Sequence, residues 1–273
     1  MASIGQIIFG SMICLIVVMS GIIVFILAIA FSVSQGTVES ISPSTVGNLD
    51  DDVMLGCRFL SNTVNGQFSD VSITWLKDSI SGVVYEYKNK AAQLQTQNAQ
   101  FSNRAQLFPD SISTGNASLL LRNIRLEDDG VYRCTVNAAK VSGTAIVKLR
   151  VAAFSAPTFT ELPNGSLSAV ANKWFPQPEV NWYNQSGQIL NSSTSFFNIA
   201  GIIHVSSLLQ DPAKENETYR CLIQNSLVIA VSEATVTAHK VTQSTYFIFN
   251  AASTKRSSLH LLVTVLILLY GVR

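Results

Sequence analysis

The feature that most narrows what this chain can fold into is a set of landmarks at fixed separations. Cys57 is followed eighteen residues later by Trp75, and Cys134 closes the run Asp128-Asp129-Gly130-Val131-Tyr132-Arg133-Cys134. Trp75 ends the alternating stretch Val71-Ser72-Ile73-Thr74-Trp75, and a strand's period of two points Val71, Ile73 and Trp75 to one face. Tyr132 and Cys134 share a face by the same rule. A tryptophan on one strand and cysteines on two others describe a pair of facing sheets, crosslinked through their middle and packed on an indole. Disulfides persist in an oxidising compartment, which the chain must enter to form one.

The ends of the chain give the route. Only 13% of the 273 residues are charged, about half the usual share for a soluble protein, and the deficit is at the termini. Positions 1–38 hold no Asp, Glu, Lys or Arg, and from Ser257 onward the only formal charge is Arg273. Ile7 to Val33 is an apolar run, so residues 1–34 are read as a signal peptide, cleaved after Ala30 or Ser34, or as an uncleaved signal anchor. Residues 259–272 form a second apolar segment, short for a helix that crosses roughly 30 Å of hydrocarbon. Ala251, Ala252 and Ser253 lie upstream with a polar spacer, the layout of a glycolipid-anchor signal; the alternative is a thin transmembrane span. Either way the protein is membrane-anchored with the central part outside the cell. The net charge of +1 offers no basic patch, so nucleic acid is excluded as a partner.

Residues 36–152 carry short β-rich runs broken by Gly, Asn, Ser and Asp, and with the Cys, Trp and Tyr-x-Cys landmarks they read as an immunoglobulin sandwich bridged by Cys57 and Cys134. Trp75 and Cys134 are 59 residues apart, against 39 for the equivalent pair in the following domain, which leaves room for two more strands. The domain is therefore variable-type, with Val83 to Lys88 as strand C′ beside C, F and G. Arg104 and Asp128 match the positions that clamp one end of such domains.

Residues 153–239 repeat the pattern in constant-type spacing, with Trp182 and Tyr219-Arg220-Cys221 as landmarks, followed by a stalk over 240–258. The fold class is all-β: tandem immunoglobulin sandwiches, variable-type then constant-type, flanked by two hydrophobic terminal segments. Leu167-Ser168-Ala169 occupies the place of the second domain's first cysteine, so Ala169 leaves Cys221 an unpaired thiol. The domain forgoes a bridge normally worth about 2–5 kcal/mol.

Asn-x-Ser/Thr acceptors stand at Asn116, Asn164, Asn184, Asn191 and Asn216. Asn116 precedes strand E on the back sheet, which leaves the front sheet of the first domain bare. Alternation turns Thr74, Leu76, Arg133, Thr135, Ile146 and Lys148 outward there, and Tyr85 and Tyr87 on C′ complete the candidate receptor-binding face, although C′ alone does not settle whether its tyrosines or Glu86 and Lys88 point out. The three histidines, His204, His239 and His260, are scattered, with no catalytic constellation, cofactor motif or metal-ligand spacing near them. Asp50-Asp51-Asp52 lacks the further oxygen ligands of a calcium loop. Hence no enzyme, no cofactor and no small-molecule substrate are expected.

The run Trp174-Phe175-Pro176-Gln177-Pro178-Glu179-Val180-Asn181-Trp182, following a variable-type domain, resembles the B-seven family of T-cell co-signalling ligands, whose constant domain carries Phe-Pro-x-Pro-x-Val-x-Trp. The resemblance implies a cell-surface ligand that binds a protein receptor on T cells and restrains activation, proliferation and cytokine production. Ala169 departs from that family, so its second disulfide does not carry over. The competing expectation is a homophilic adhesion protein that binds its own kind through the same sheet.

Overall fold

The computed structural model describes residues 4–33, 36–60, 68, 70–139, 141–238 and 240–250. The expected anchor segment at 259–272, residues 251–258 of the expected stalk and Ser34 at the expected cleavage site lie outside the described residues. Helix α1 runs from Ile4 to Val33 with no acidic residue in its first turn and no basic residue in its last. Its side chains over 11–27 are all exposed. That stretch is about 25 Å long at 1.5 Å per residue, and no helix among the described residues is long and apolar enough to cross a membrane.

In the first domain, β1 (Thr37–Ser40) pairs with β4 (Cys57–Leu60), while β3 (Val53–Leu55), β9 (Leu119–Leu121) and β8 (Ala105–Gln106) complete the back sheet. The front sheet has six strands in the order β2 (Ser44–Asn48), β11 (Val141–Ala152), β10 (Gly130–Ala138), β5 (Ser72–Lys77), β6 (Tyr85–Lys88) and β7 (Ala91–Ala92). The last two are the pair of extra strands that mark a variable-type domain. Alternation put Ile73, Trp75, Tyr132 and Cys134 inward, and all four are fully buried with Leu55, Phe59, Leu119 and Val147.

Cys57 and Cys134 are disulfide-bonded, 77 residues apart in sequence, a loop whose closure removes about 4 kcal/mol of chain entropy from the unfolded state. Trp75 binds the two sheets a second way, because its indole Nε1 donates to the Ala117 carbonyl at 2.9 Å. Within the back sheet Ser118 ties β4 to the approach to β9: its hydroxyl accepts from the Cys57 N–H at 3.2 Å and donates to the Cys57 carbonyl at 3.3 Å. Arg104 and Asp128, the expected clamp residues, are both buried. The Arg104 guanidinium donates to the Gln100 carbonyl, and the Asp128 carboxylate accepts from the Arg125 N–H.

The second domain has a four-stranded sheet in the order β12 (Thr158–Glu161), β13 (Ser166–Trp174), β17 (Ile202–Pro212) and β16 (Ser192–Ile199), which is the A-B-E-D sheet of a constant-type domain. Facing it is a five-stranded sheet in the order β15 (Ile189–Leu190), β14 (Glu179–Tyr183), β18 (Thr218–Gln224), β19 (Val228–Thr237) and β20 (Lys240–Phe249). The last strand corrects the expectation of a stalk beginning at 240. β20 pairs antiparallel with β19 from Val228↔Phe249 to Thr237↔Lys240 and covers an edge whose N–H and C=O groups would otherwise be open. Val241 and Phe247 pack on the core, Gln243 accepts from the Phe159 N–H at 2.9 Å, and Phe154 meets Phe247 and Phe249.

Ala169 and Cys221 are both fully buried, and Cys221 is a free thiol. The core there holds without the bridge through aromatic packing: Trp174 and Trp182 are fully buried, and Phe159 meets Trp182 edge to face. Trp182 Nε1 donates to the buried Ser207 hydroxyl at 2.8 Å, which also bonds Thr194. At the tyrosine corner, the Lys214 N–H donates to the Tyr219 hydroxyl, which donates to Glu217.

Burial pushes the Cys221 thiol from its ordinary 9.0 to about 12. With the folded value above the unfolded one, this thiol's contribution is fully present below pH 9 and declines toward pH 12, at about 1 kcal/mol per pH unit, because only the unfolded chain releases the proton. Urea midpoints at about pH 8 and about pH 10 should therefore fall more steeply for the natural chain than for Cys221→Ala. Parallel decline, or rapid maleimide labelling of native Cys221, contradicts a dry thiol.

Candidate protein-binding face

Cross-strand register decides which side chains of the first domain's front sheet meet solvent. Arg133 lies opposite Leu76, and Thr135 opposite Thr74. The Thr135 and Thr144 hydroxyls bond at 2.9 Å and Ser142 donates to Asn137, which sets β11 against β10 so that Ile146 flanks Arg133. Leu76, Arg133 and Ile146 thus form one outward row across three strands, with Thr74, Thr135 and Thr144 as the next. Leu76 is 37% exposed and Ile146 50%. Lys148 continues the same face two residues beyond Ile146.

Arg133 is held in place, since its guanidinium donates to both carboxylate oxygens of Asp78 at 2.6 and 2.9 Å. That fork lowers the Asp78 carboxyl and raises the Arg133 guanidinium, chiefly through the hydrogen bonds. Both groups are exposed, so the pair contributes orientation more than stability. A planar cation fixed between two aliphatic side chains on a sheet suits a protein partner's surface.

Tyr85 and Tyr87 do not belong to this face. Tyr85 pairs with Trp75 and Tyr87 with Ile73, and paired residues share a side of the sheet, so both rings turn inward with their buried partners. Tyr87 is 8% exposed and lines a hollow with Phe68, Val71 and Ile112. Burial raises the Tyr85 phenol, opposed by a hydrogen bond with the Leu107 backbone. The outward residues of β6 are Glu86, opposite Thr74, and Lys88. Sequence reasoning missed Asp78 and Thr144: alternation back from Ile146 reaches Thr144, whereas Asp78 follows the end of its strand and had no signal.

The glycan-acceptor motifs avoid the row. Asn116 bridges to Arg58 on the back sheet. Gly115 before it has φ +94, and a Cβ there would sit 2.3 Å from the Phe59 carbonyl oxygen, so only glycine lets this turn approach β4. In the second domain, Asn164 lies between β12 and β13, Asn184 after β14, Asn191 between β15 and β16, and Asn216 between β17 and β18. Those four turns share one end of the sandwich, and both of its faces are left clear of acceptors.

A disulfide-pinned variable-type sandwich, a constant-type sandwich and a flat outward row define an immunoglobulin-superfamily binding protein. Residues 41–152 match the family described as immunoglobulin V-set domain, and residues 166–231 that described as butyrophilin subfamily 3 member A2-like, Ig-C domain. The chain is 34% identical over 250 residues to V-set domain-containing T-cell activation inhibitor 1 of Homo sapiens, covering 88% of this chain and 87% of that protein. The Rattus norvegicus protein of the same name is 36% identical over 251 residues, with the same coverage. The crystal structure of bovine butyrophilin shares the fold, with a TM-score of 0.50 at 22% identity over 78% of this chain and 98% of that one. The chain belongs to the B-seven family of T-cell co-signalling ligands, together with these T-cell activation inhibitors.

The facing assignment is checked by two neighbours on β6. Tyr85→Ala should lower the unfolding free energy by about 2–4 kcal/mol, whereas Glu86→Ala should change it by less than about 0.5 kcal/mol. Chemical denaturation measures both, and equal small losses would return Tyr85 to the surface.

Proposed function

We propose that this chain is a cell-surface ligand that engages a protein receptor on T cells through the Leu76, Arg133 and Ile146 row and restrains T-cell activation, proliferation and cytokine production. The observation that carries the reading is this row itself: an oriented cation between two exposed aliphatic side chains, on a sheet without acceptor asparagines. The names of the human and rat relatives support the direction of the effect. A glycan on Asn116, on the back of the first domain, leaves the front sheet free for close protein contact. The exposed apolar α1 and the tail at 259–272 serve export and anchoring, and they place both domains on the outer face of the plasma membrane.

Full-length protein displayed on cells, presented with a T-cell-receptor stimulus, should reduce T-cell proliferation relative to cells without it. Leu76→Ala, Arg133→Ala and Ile146→Ala combined should weaken T-cell binding by about tenfold or more and restore proliferation at equal surface level. Undiminished binding moves the site off this sheet, enhanced proliferation reverses the sign, and clustering of the displaying cells with one another favours homophilic adhesion.

A further inference from the structure

We infer that two copies of this chain pair side by side through the outward face of the second domain's five-stranded sheet, independently of the receptor row on the first domain. Core-facing residues of β19 are Val228, Ala230, Ala234 and Val236, so Ile229, Val231 and Glu233 face out. Register then aligns Leu222, Val231 and Tyr246 in one outward row, and places Ile229 beside Ile248. Tyr246 is 59% exposed and Ile248 44%. Val231 is 7% exposed and Leu222 and Ile229 are half-buried, so the exposed apolar surface of this face lies mostly on β20.

The charges on this face specify the partner. The next row holds Arg220 opposite Glu233, their side chains 2.8 Å apart and half exposed. Glu179 and Lys240 are the other charged residues facing outward in these strands, so the face carries no net charge and does not repel its own copy. A two-fold axis running along the strands between β18 and β19 exchanges the two central strands. It sets Arg220 of each copy over Glu233 of the other, and Leu222 over Val231. The face is therefore self-complementary, as an isologous interface requires.

Size agrees with the same occupant. β14, β18, β19 and β20 hold 5, 7, 10 and 10 residues, which at about 3.4 Å per residue and about 4.8 Å between strands give about 500 Å² in plan, and interdigitating side chains raise the buried area toward the roughly 800 Å² per partner of a standard interface. The acceptor asparagines Asn164, Asn184, Asn191 and Asn216 occupy turns at one end, so their glycans leave the face open. Because the axis lies along the strands, both copies stand the same way up, as two molecules on one membrane do.

The test uses the full-length chain with two different epitope tags, coexpressed on one cell and co-captured from mild detergent. Arg220→Glu alone and Glu233→Arg alone should each reduce co-capture by at least about tenfold, and coexpressing one with the other should restore it to within about twofold. The restored pair retains a broken bridge inside each copy, so rescue reports only the contact between copies. As a second readout, copies bearing Leu222→Cys mixed with copies bearing Val231→Cys should form a disulfide-linked pair on mild oxidation, and neither variant should do so by itself. Failure of the natural chain to co-capture, co-capture indifferent to both charge reversals, absence of rescue without cysteine crosslinking, or pairing only between copies on separate cells overturns the inference. These readouts contain no T cell, so their failure is distinct from failure of the receptor row.

Discussion

The Cys57–Cys134 bridge, with the buried Trp75 paired beside Cys134, is the constraint on which the first domain's geometry depends. The disulfide joins β4 of one sheet to β10 of the other, and the indole, carried by β5, reaches back to the Ala117 carbonyl. With Trp75 fixed inward, the period of two fixes the rest: Thr74 and Leu76 go out on the same strand, and their partners Thr135 and Arg133 follow. The outward row is thus a consequence of the core. A one-residue slip of β5 or β10 would send it into the sandwich.

The second domain reaches the same architecture without the crosslink. Ala169 and Cys221 sit where the bridge would be, and the sheets are held by Trp174, Trp182 and Phe159 together with a buried hydrogen bond from Trp182 to Ser207. β20 adds a strand along the β19 edge and brings Val241 and Phe247 onto the core. Losing a bridge raises the entropy of the unfolded chain, and additional burial offsets part of that loss. The same strand widens the outward face and contributes the exposed Tyr246 and Ile248 to it, so one structural addition both covers the core and enlarges the surface.

The outward faces of the two sheets differ in character. On the first domain, the surface row is a fixed guanidinium between aliphatic side chains; on the second, it is apolar with balanced charge. Acceptor asparagines stand off both, at Asn116 on the back sheet of the first domain and at the turns of one end of the second. Each domain thus keeps one sheet face clear of acceptor asparagines.

Much of this was written in the chain itself. Cysteine spacing, Trp75, Trp182 and the Tyr-x-Cys pairs determined two sandwiches, their types and the missing bridge, because those features depend on residues that must meet in a core whatever the loops do. Alternation on β5 and β10 likewise determined most of the outward row, since Trp75 and Cys134 supply an absolute inward reference. β6 has no such reference: Tyr85 and Tyr87 alternate with Glu86 and Lys88, each set is acceptable on either side, and only pairing with Trp75 and Ile73 selects one. The fork between Arg133 and Asp78, and the extension of the second sheet by β20, were also decided in three dimensions. Both depend on which edges and strand ends come together, a matter of long-range contact that no local pattern encodes.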